Sequence, residues 1–188
     1  HNNHSNCHYD RVLEFINENT DTFELVIYEQ AGFYLLRENN GVKGSRGMFS
    51  SLGTTEPVAN IVVDEEHIHL TAEYLQQISE MVNVNWFLPR AEPHIRQETV
   101  LRKGCNFEYS YRPNLYETFT ELDNFIEVLI NSYANDRLKT VSQNEMFQFN
   151  FPSDFMNCKT IYWSDGDHFS ASGEEYFGQR VTQELLLN

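Results

Sequence analysis

The sequence predicts an α/β domain, a parallel β-sheet with helices on both faces. Two observations point there. Helix-like and strand-like segments alternate along the chain as helix, strand, helix, strand, helix, strand, helix, the pattern of parallel strands joined by crossover helices. Of 188 residues, 40% are hydrophobic and 14% aromatic, enough to build a core and to exclude a disordered chain. Residues 1–188 read as one domain. In such sheets the chemistry sits just past the carboxyl ends of the strands, here near Gln30, Arg90, Ser142 and the loop before the last helix.

The elements follow in order. Residues 1–7 are polar and read as a ragged end of a longer protein, since the chain opens at His1 without Met. Residues 8–19 carry Val12, Leu13, Phe15 and Ile16 at helical spacing. The run 23–30 (FELVIYEQ) is rich in strand formers and reads as a buried strand. Residues 31–37 continue as loop or short helix. Residues 41–53 are rich in Gly and Ser, a surface loop. The apolar run 60–64 reads as a strand outside the main sheet. Residues 71–82 read as a helix with Thr71 as N-cap and Tyr74, Leu75, Ile78 and Met81 on one face. Residues 84–89 (VNWFLP) read as a strand, and 90–113 as a long irregular connection. Leu122, Phe125, Ile126, Leu129 and Ile130 make 119–134 an amphipathic helix. Residues 138–142 read as a strand, 144–160 as an aromatic loop and 172–187 as a closing helix.

Charge narrows the partners. The formal net charge is −15, which repels phosphate backbones and anionic lipid and argues against nucleic-acid binding. Apolar runs such as Leu25-Val26-Ile27-Tyr28 fall far short of the roughly 20 residues of a membrane span. The three cysteines, Cys7, Cys105 and Cys158, show no zinc spacing. They fit one disulfide plus a thiol, and equally three reduced thiols.

The chemistry concentrates in Tyr162-Trp163-Ser164-Asp165-Gly166-Asp167-His168-Phe169-Ser170. An Asp three residues before a His, in a loop entering a helix, is a compact acid–base unit. The imidazole accepts a proton from a nucleophile, while the carboxylate holds the other ring nitrogen. The plain alternative is an acidic surface loop with a capping His. Asp167 is a weaker candidate for the orienting role.

This block, with Gly173 after it, resembles the last conserved block of SGNH/GDSL-type hydrolases. It is most similar to the SGNH domain at the C-terminus of bacterial membrane acyltransferases that O-acetylate cell-surface sugars. Residues 7–36 and 84–93 (VNWFLPRAEP) match that family more loosely. The resemblance implies a three-layer α/β/α, flavodoxin-like (SGNH hydrolase-type) parallel sheet lacking its first strand. It implies His168 as general base and Asp165 as its orienting acid. The family's nucleophile is the Ser of a Gly-Asp-Ser block on that first strand, and no Gly-Asp-Ser occurs here. The family's Gly-x-Asn-Asp oxyanion block is absent too; Gln30, Gly32 and Tyr34 stand in its place as pocket candidates. Arg90 and Trp163 are further substrate-binding candidates.

What the resemblance implies for function is transfer of an acetyl group to a sugar hydroxyl, without cofactor. The partners are an acyl donor, a glycan acceptor and a membrane acyltransferase domain. The place is the periplasmic or extracellular face, tethered to the inner membrane. It also makes a Cys105–Cys158 disulfide reasonable, with Cys7 paired outside this chain. An SGNH-type esterase and a non-catalytic glycan- or partner-binding domain are the alternatives. A sheet missing its first strand exposes backbone edges and invites association.

Other residues have two readings each. His67 and His69 would share one side of a strand beside carboxylates, a possible metal pair, or lie in a solvated turn; no metal is expected. Lys43, Arg46, Arg90, Arg96, Arg102 and Lys103 suit an anionic ligand or scattered ion pairs. Trp86 reads as core, whereas Trp163 and Tyr109-Ser110-Tyr111 are suited to stacking on sugar rings.

Overall fold

The structure is a computed structural model and describes residues 9–38, 50–51, 61–90, 92, 110–111, 115–150, 153–165 and 168–181. In order the elements are α1 (Tyr9–Glu18), β1 (Leu25–Glu29), a 3-10 turn (Gly32–Tyr34), β2 (Leu36–Glu38), β3 (Ser50–Ser51), β4 (Ile61–Val63) and α2 (Glu65–Ser79). Then come β5 (Asn83–Leu88), β6 (Ser110–Tyr111), α3 (Leu115–Ser132), β7 (Leu138–Ser142), α4 (Gln143–Phe147) and α5 (Ala171–Gly178). Most of the 41–53 loop and of the 90–113 connection lies outside the described residues.

The expected α/β character holds. The main sheet has the order β1-β5-β7, and both neighbouring pairs are parallel. Parallel neighbours need long crossovers, and α2 and α3 lie in those two connections. The short strand over 61–63 stands outside this sheet, as expected, paired antiparallel with β2.

Alternation along the strands divides two cores. Val84, Trp86 and Leu88 of β5, with Leu138 of β7, face a cluster built with Ile16 of α1, Ile68, Leu75 and Ile78 of α2, and Leu122, Ile126 and Ile130 of α3. Phe87 and Val141 face the opposite side, against Met146, Phe147, Phe155, Trp163 and Phe177. Helices therefore pack on both faces, but unequally. Ile27 of β1 is 54% exposed, so among the described residues the second layer leaves the β1 end of the sheet open. The expectation that 23–30 is a buried strand is corrected: its residues are half-buried or exposed, because among the described residues the second cluster does not extend over β1.

Helix boundaries also differ from expectation: α3 starts at Leu115, ahead of the expected 119, and α5 ends at Gly178, short of the expected 187. α2 begins at Glu65, six residues before the expected Thr71 cap. Asp64 is the N-cap, its carboxylate accepting from the His67 N–H, and Glu65 and Glu66 lie in the first turn, where acidic side chains favour the positive end of the helix dipole. Thr71 instead sits inside the helix and donates its hydroxyl to the His67 carbonyl. The stretch 144–160 is not all loop, since its start forms α4, capped by Ser142. Among the described residues no helix is long and apolar enough to cross a membrane.

The second cluster is held by an ion pair. The Asp154 side chain is buried, and its carboxylate receives both terminal nitrogens of Arg180 at 2.7 and 2.8 Å and the Tyr176 hydroxyl at 3.2 Å. Burial alone would raise the Asp154 pKa. Hydrogen bonds from Arg180 and the Asn150 N–H, with the Arg180 charge, outweigh it and hold the carboxyl below its ordinary value. Its stabilising contribution is therefore complete above the ordinary Asp pKa and is lost as pH falls through the depressed folded value. Arg180→Ala strands a buried carboxylate and should cost about 3 kcal/mol at neutral pH. Urea unfolding should show that gap at pH 7 and its narrowing in acid.

Candidate active site

The carboxyl ends of the three sheet strands are clamped together by polar side chains. Gln143, at the end of β7, is buried. Its amide nitrogen donates to the Leu88 carbonyl at 3.0 Å and to Glu29 at 3.1 Å, so it ties β7 to the ends of β5 and β1. Arg90, just past β5, donates to the Gln143 amide oxygen at 3.0 Å and forms an ion pair with Glu29. Asn144 donates to the Pro89 carbonyl at 3.0 Å.

Arg90 also reaches the acid–base loop. Its guanidinium lies 4.8 Å from the Phe169 ring centre and 5.8 Å from that of Trp163. Trp163 and Phe169 pair in an antiparallel bridge, which closes the intervening loop. Within it Ser164 N–H donates to the His168 carbonyl at 2.8 Å. Ser170 caps α5 by accepting from the Gly173 N–H at 3.0 Å. Gly173 lies so close to the chain that a Cβ there would fall 1.8 Å from the Tyr162 carbonyl oxygen. A side chain at 173 would push α5 away from the Tyr162 segment that leads into the loop.

On this base Asp165 and His168 meet as the spacing predicts. His168 Nδ1 lies 3.0 and 2.9 Å from the two carboxylate oxygens, and the His168 backbone N–H donates to the same carboxylate at 2.8 Å. The carboxylate is acceptor only, so neutral His168 carries its proton on Nδ1 and Nε2 is the basic nitrogen. Both side chains are more than half exposed, 71% for His168 and 55% for Asp165. A pair this wet adds little stability; its worth is orientation. Asp167, the weaker orienting candidate, lies outside the described residues.

Of the substrate-binding candidates, Gln30 and Tyr34 line a cavity of about 710 Å³ at the end of β1. Gly32 is buried beneath them, where a Cβ would fall 2.7 Å from the Phe119 ring and 3.0 Å from Pro89. It shapes the turn and does not wall the pocket. Trp163 is a correction. It is completely buried, its indole N–H donating to the Asp154 carbonyl at 3.0 Å, so it supports the loop from below and presents no ring to a ligand. Arg90 stands at the expected strand end but is engaged by Glu29, Gln143 and the Phe169 ring. Lys43, Arg46, Arg96, Arg102, Lys103 and Tyr109 lie outside the described residues.

His67 and His69 are also corrected. They lie on α2, where residues two apart point to different sides, so the strand geometry for a metal pair does not arise. His69 packs edge-on to Phe125 at 5.9 Å. Among the described residues no group of three or more His, Cys, Asp or Glu could hold a metal. Cys158 is disulfide-bonded, and the other two cysteines, Cys7 and Cys105, lie outside the described residues.

Sequence reasoning missed the second wall of the cavity, formed by His67, Leu70, Thr71 and Tyr74 of α2. The Asp-Glu-Glu start at residues 64–66 was the available signal, because a helix begun there places these four on one stripe. It also missed Asp123 on α3. Burial raises that carboxyl from 3.8 to about 6, opposed by hydrogen bonds from Ser142 and Asn144 and reinforced by Glu127 and Glu145. No protein-family model, curated protein or solved structure matches the chain.

The raised Asp123 pKa carries a sign. Folded protein holds this proton more tightly than unfolded chain, so the contribution to stability is full below pH 3.8 and falls as pH rises through about 6. Asp123→Asn should therefore stabilise at pH 7 by about 2–3 kcal/mol and leave stability unchanged near pH 3.5. Thermal unfolding of both proteins across that range checks it.

Proposed function

We propose that this chain is the acid–base half of an SGNH-type acyl-transfer site in a flavodoxin-like α/β/α domain. It transfers an acetyl group to a sugar hydroxyl at the outer face of a bacterial membrane, as part of a membrane acyltransferase. The observation that carries the reading is the carboxylate of Asp165 on His168 Nδ1, at the carboxyl end of a parallel sheet. That is the arrangement in which an imidazole activates a hydroxyl nucleophile.

The nucleophilic Ser comes from outside these 188 residues. Its strand adds along the outer edge of β1, which among the described residues stands at the end of the β1-β5-β7 order. In the first half-reaction His168 Nε2 takes the Ser hydroxyl proton as the oxygen attacks the acyl carbonyl. The imidazolium, steadied by Asp165, returns that proton to the departing donor. In the second, the sugar hydroxyl loses its proton to Nε2 and attacks the acyl-serine, and the Ser oxygen leaves with that proton.

The test is turnover of p-nitrophenyl acetate by this chain and by a polypeptide extended upstream through a Ser-bearing strand. The extended form should be active and this chain inert. In the extended form His168→Ala should lose roughly 10³-fold or more in kcat, and Asp165→Asn roughly 10²- to 10⁴-fold. An inert extended form, or activity indifferent to His168→Ala, contradicts the reading and favours a non-catalytic binding domain.

A further inference from the structure

We propose that Arg90 is a positioning residue for His168: its guanidinium pins the acid–base loop to the carboxyl ends of β1, β5 and β7. As a role in acyl transfer this rests on the reading above. As a statement of what holds His168 in place, it stands on the contacts of Arg90.

The loop meets the fold through Phe169, the residue after His168. Its ring centre lies 4.6 Å from that of Phe177 and 4.7 Å from that of Trp163, with Phe147 edge-on at 5.7 Å. Those contacts belong to the second cluster. The Arg90 guanidinium, 4.8 Å from the same ring centre, ties the ring to the strand ends. That distance is within the roughly 6 Å over which a ring face attracts a cation.

The strand ends hold the guanidinium in turn. Arg90 Nη1 donates to Glu29 of β1 and, at 3.0 Å, to the amide oxygen of Gln143 at the end of β7. Gln143 itself donates to the Leu88 carbonyl of β5 and to Glu29. The Arg90 side chain is only 11% exposed, and a desolvated cation is held by a ring more strongly than an exposed one. A guanidinium donates in its plane and stacks on its faces, so one group can serve carboxylate, amide and ring together. A lysine ammonium keeps the charge but has no plane, and cannot reproduce that set.

The backbone carries this position from Phe169 to the pair. The His168 carbonyl accepts from the Ser164 N–H at 2.8 Å and from its hydroxyl at 3.2 Å. The His168 N–H and Nδ1 both meet the Asp165 carboxylate. With His168 71% exposed, its imidazole takes its place from this frame more than from packing of its own. Loosening Arg90 therefore leaves the Asp165–His168 contact chemically possible but lets the pair drift against the strand ends, where the nucleophile would stand. Small displacements of a base cost rate, not binding.

The experiment compares Arg90→Lys, Phe169→Leu and the double variant, each with far-UV circular dichroism unchanged. In this chain, NMR hydrogen exchange at the Ser164 and His168 amides should quicken roughly tenfold in each single variant. The double variant should add little, because both changes remove the same contact. In the extended protein, Arg90→Lys should lower kcat for p-nitrophenyl acetate roughly 10- to 100-fold with KM nearly unchanged. Should Arg90→Lys fail to fold, Phe169→Leu decides, since it leaves Glu29, Arg90 and Gln143 joined. Unchanged exchange in the single variants, additive effects in the double variant, or a raised KM at full kcat overturns the proposal. An inert extended protein would sink the acyl-transfer reading, and the exchange rates would still decide this inference. An active extended protein whose kcat ignores both substitutions would sink this inference alone.

Discussion

The buried amide of Gln143 is the contact on which the rest of the site depends. It holds the carboxyl ends of β1, β5 and β7 together through the Leu88 carbonyl and Glu29. Parallel strands of five or six residues end at different heights in a twisted sheet, and their last carbonyls need partners. Gln143 supplies a partner to the Leu88 carbonyl and Asn144 one to the Pro89 carbonyl, and Arg90 extends the network to Glu29 and to the face of Phe169. The end of β1 and the 163–169 loop are thereby linked through Arg90 above the apolar core.

Stability and chemistry are divided between two places. The second cluster, with Phe147, Phe155, Trp163 and Phe177 around the Asp154–Arg180 pair, is dry and aromatic. It fixes where α5 and the 163–169 bridge sit. Asp165 and His168 ride on that base in solvent, where their mutual attraction is weak. Such a pair keeps its geometry through the backbone: one carboxylate binds both the His168 N–H and its ring, and Gly173 lets α5 approach the Tyr162 carbonyl without a side chain between. Rigidity is thus supplied from beneath, and access from above.

What the sequence revealed followed interaction range. β7 falls on the expected residues 138–142, where Leu138 and the β-branched Thr140 and Val141 favour a strand. The Asp165–His168 contact was legible since three residues of separation suffice to make it. Trp163 was misread because its burial depends on Phe155, Phe177 and Asp154, which only the tertiary fold brings around it. Arg90 was placed correctly at a strand end, but its partners lie 61 and 53 residues away, and no local pattern names them. The α2 wall of the cavity was hidden by one boundary: with Thr71 as cap, His67 falls in a turn; with Asp64 as cap, it joins Tyr74 on one stripe.

The central claim is that Asp165 turns His168 into a base with a defined reactive nitrogen. Nitrogen-15 NMR of the His168 ring at a pH where it is neutral tests this most directly. The account predicts the proton on Nδ1, hydrogen-bonded, with Nε2 as an unprotonated acceptor, and a loss of that preference in Asp165→Asn. A neutral ring protonated on Nε2, or one whose tautomer ignores Asp165→Asn, would contradict it.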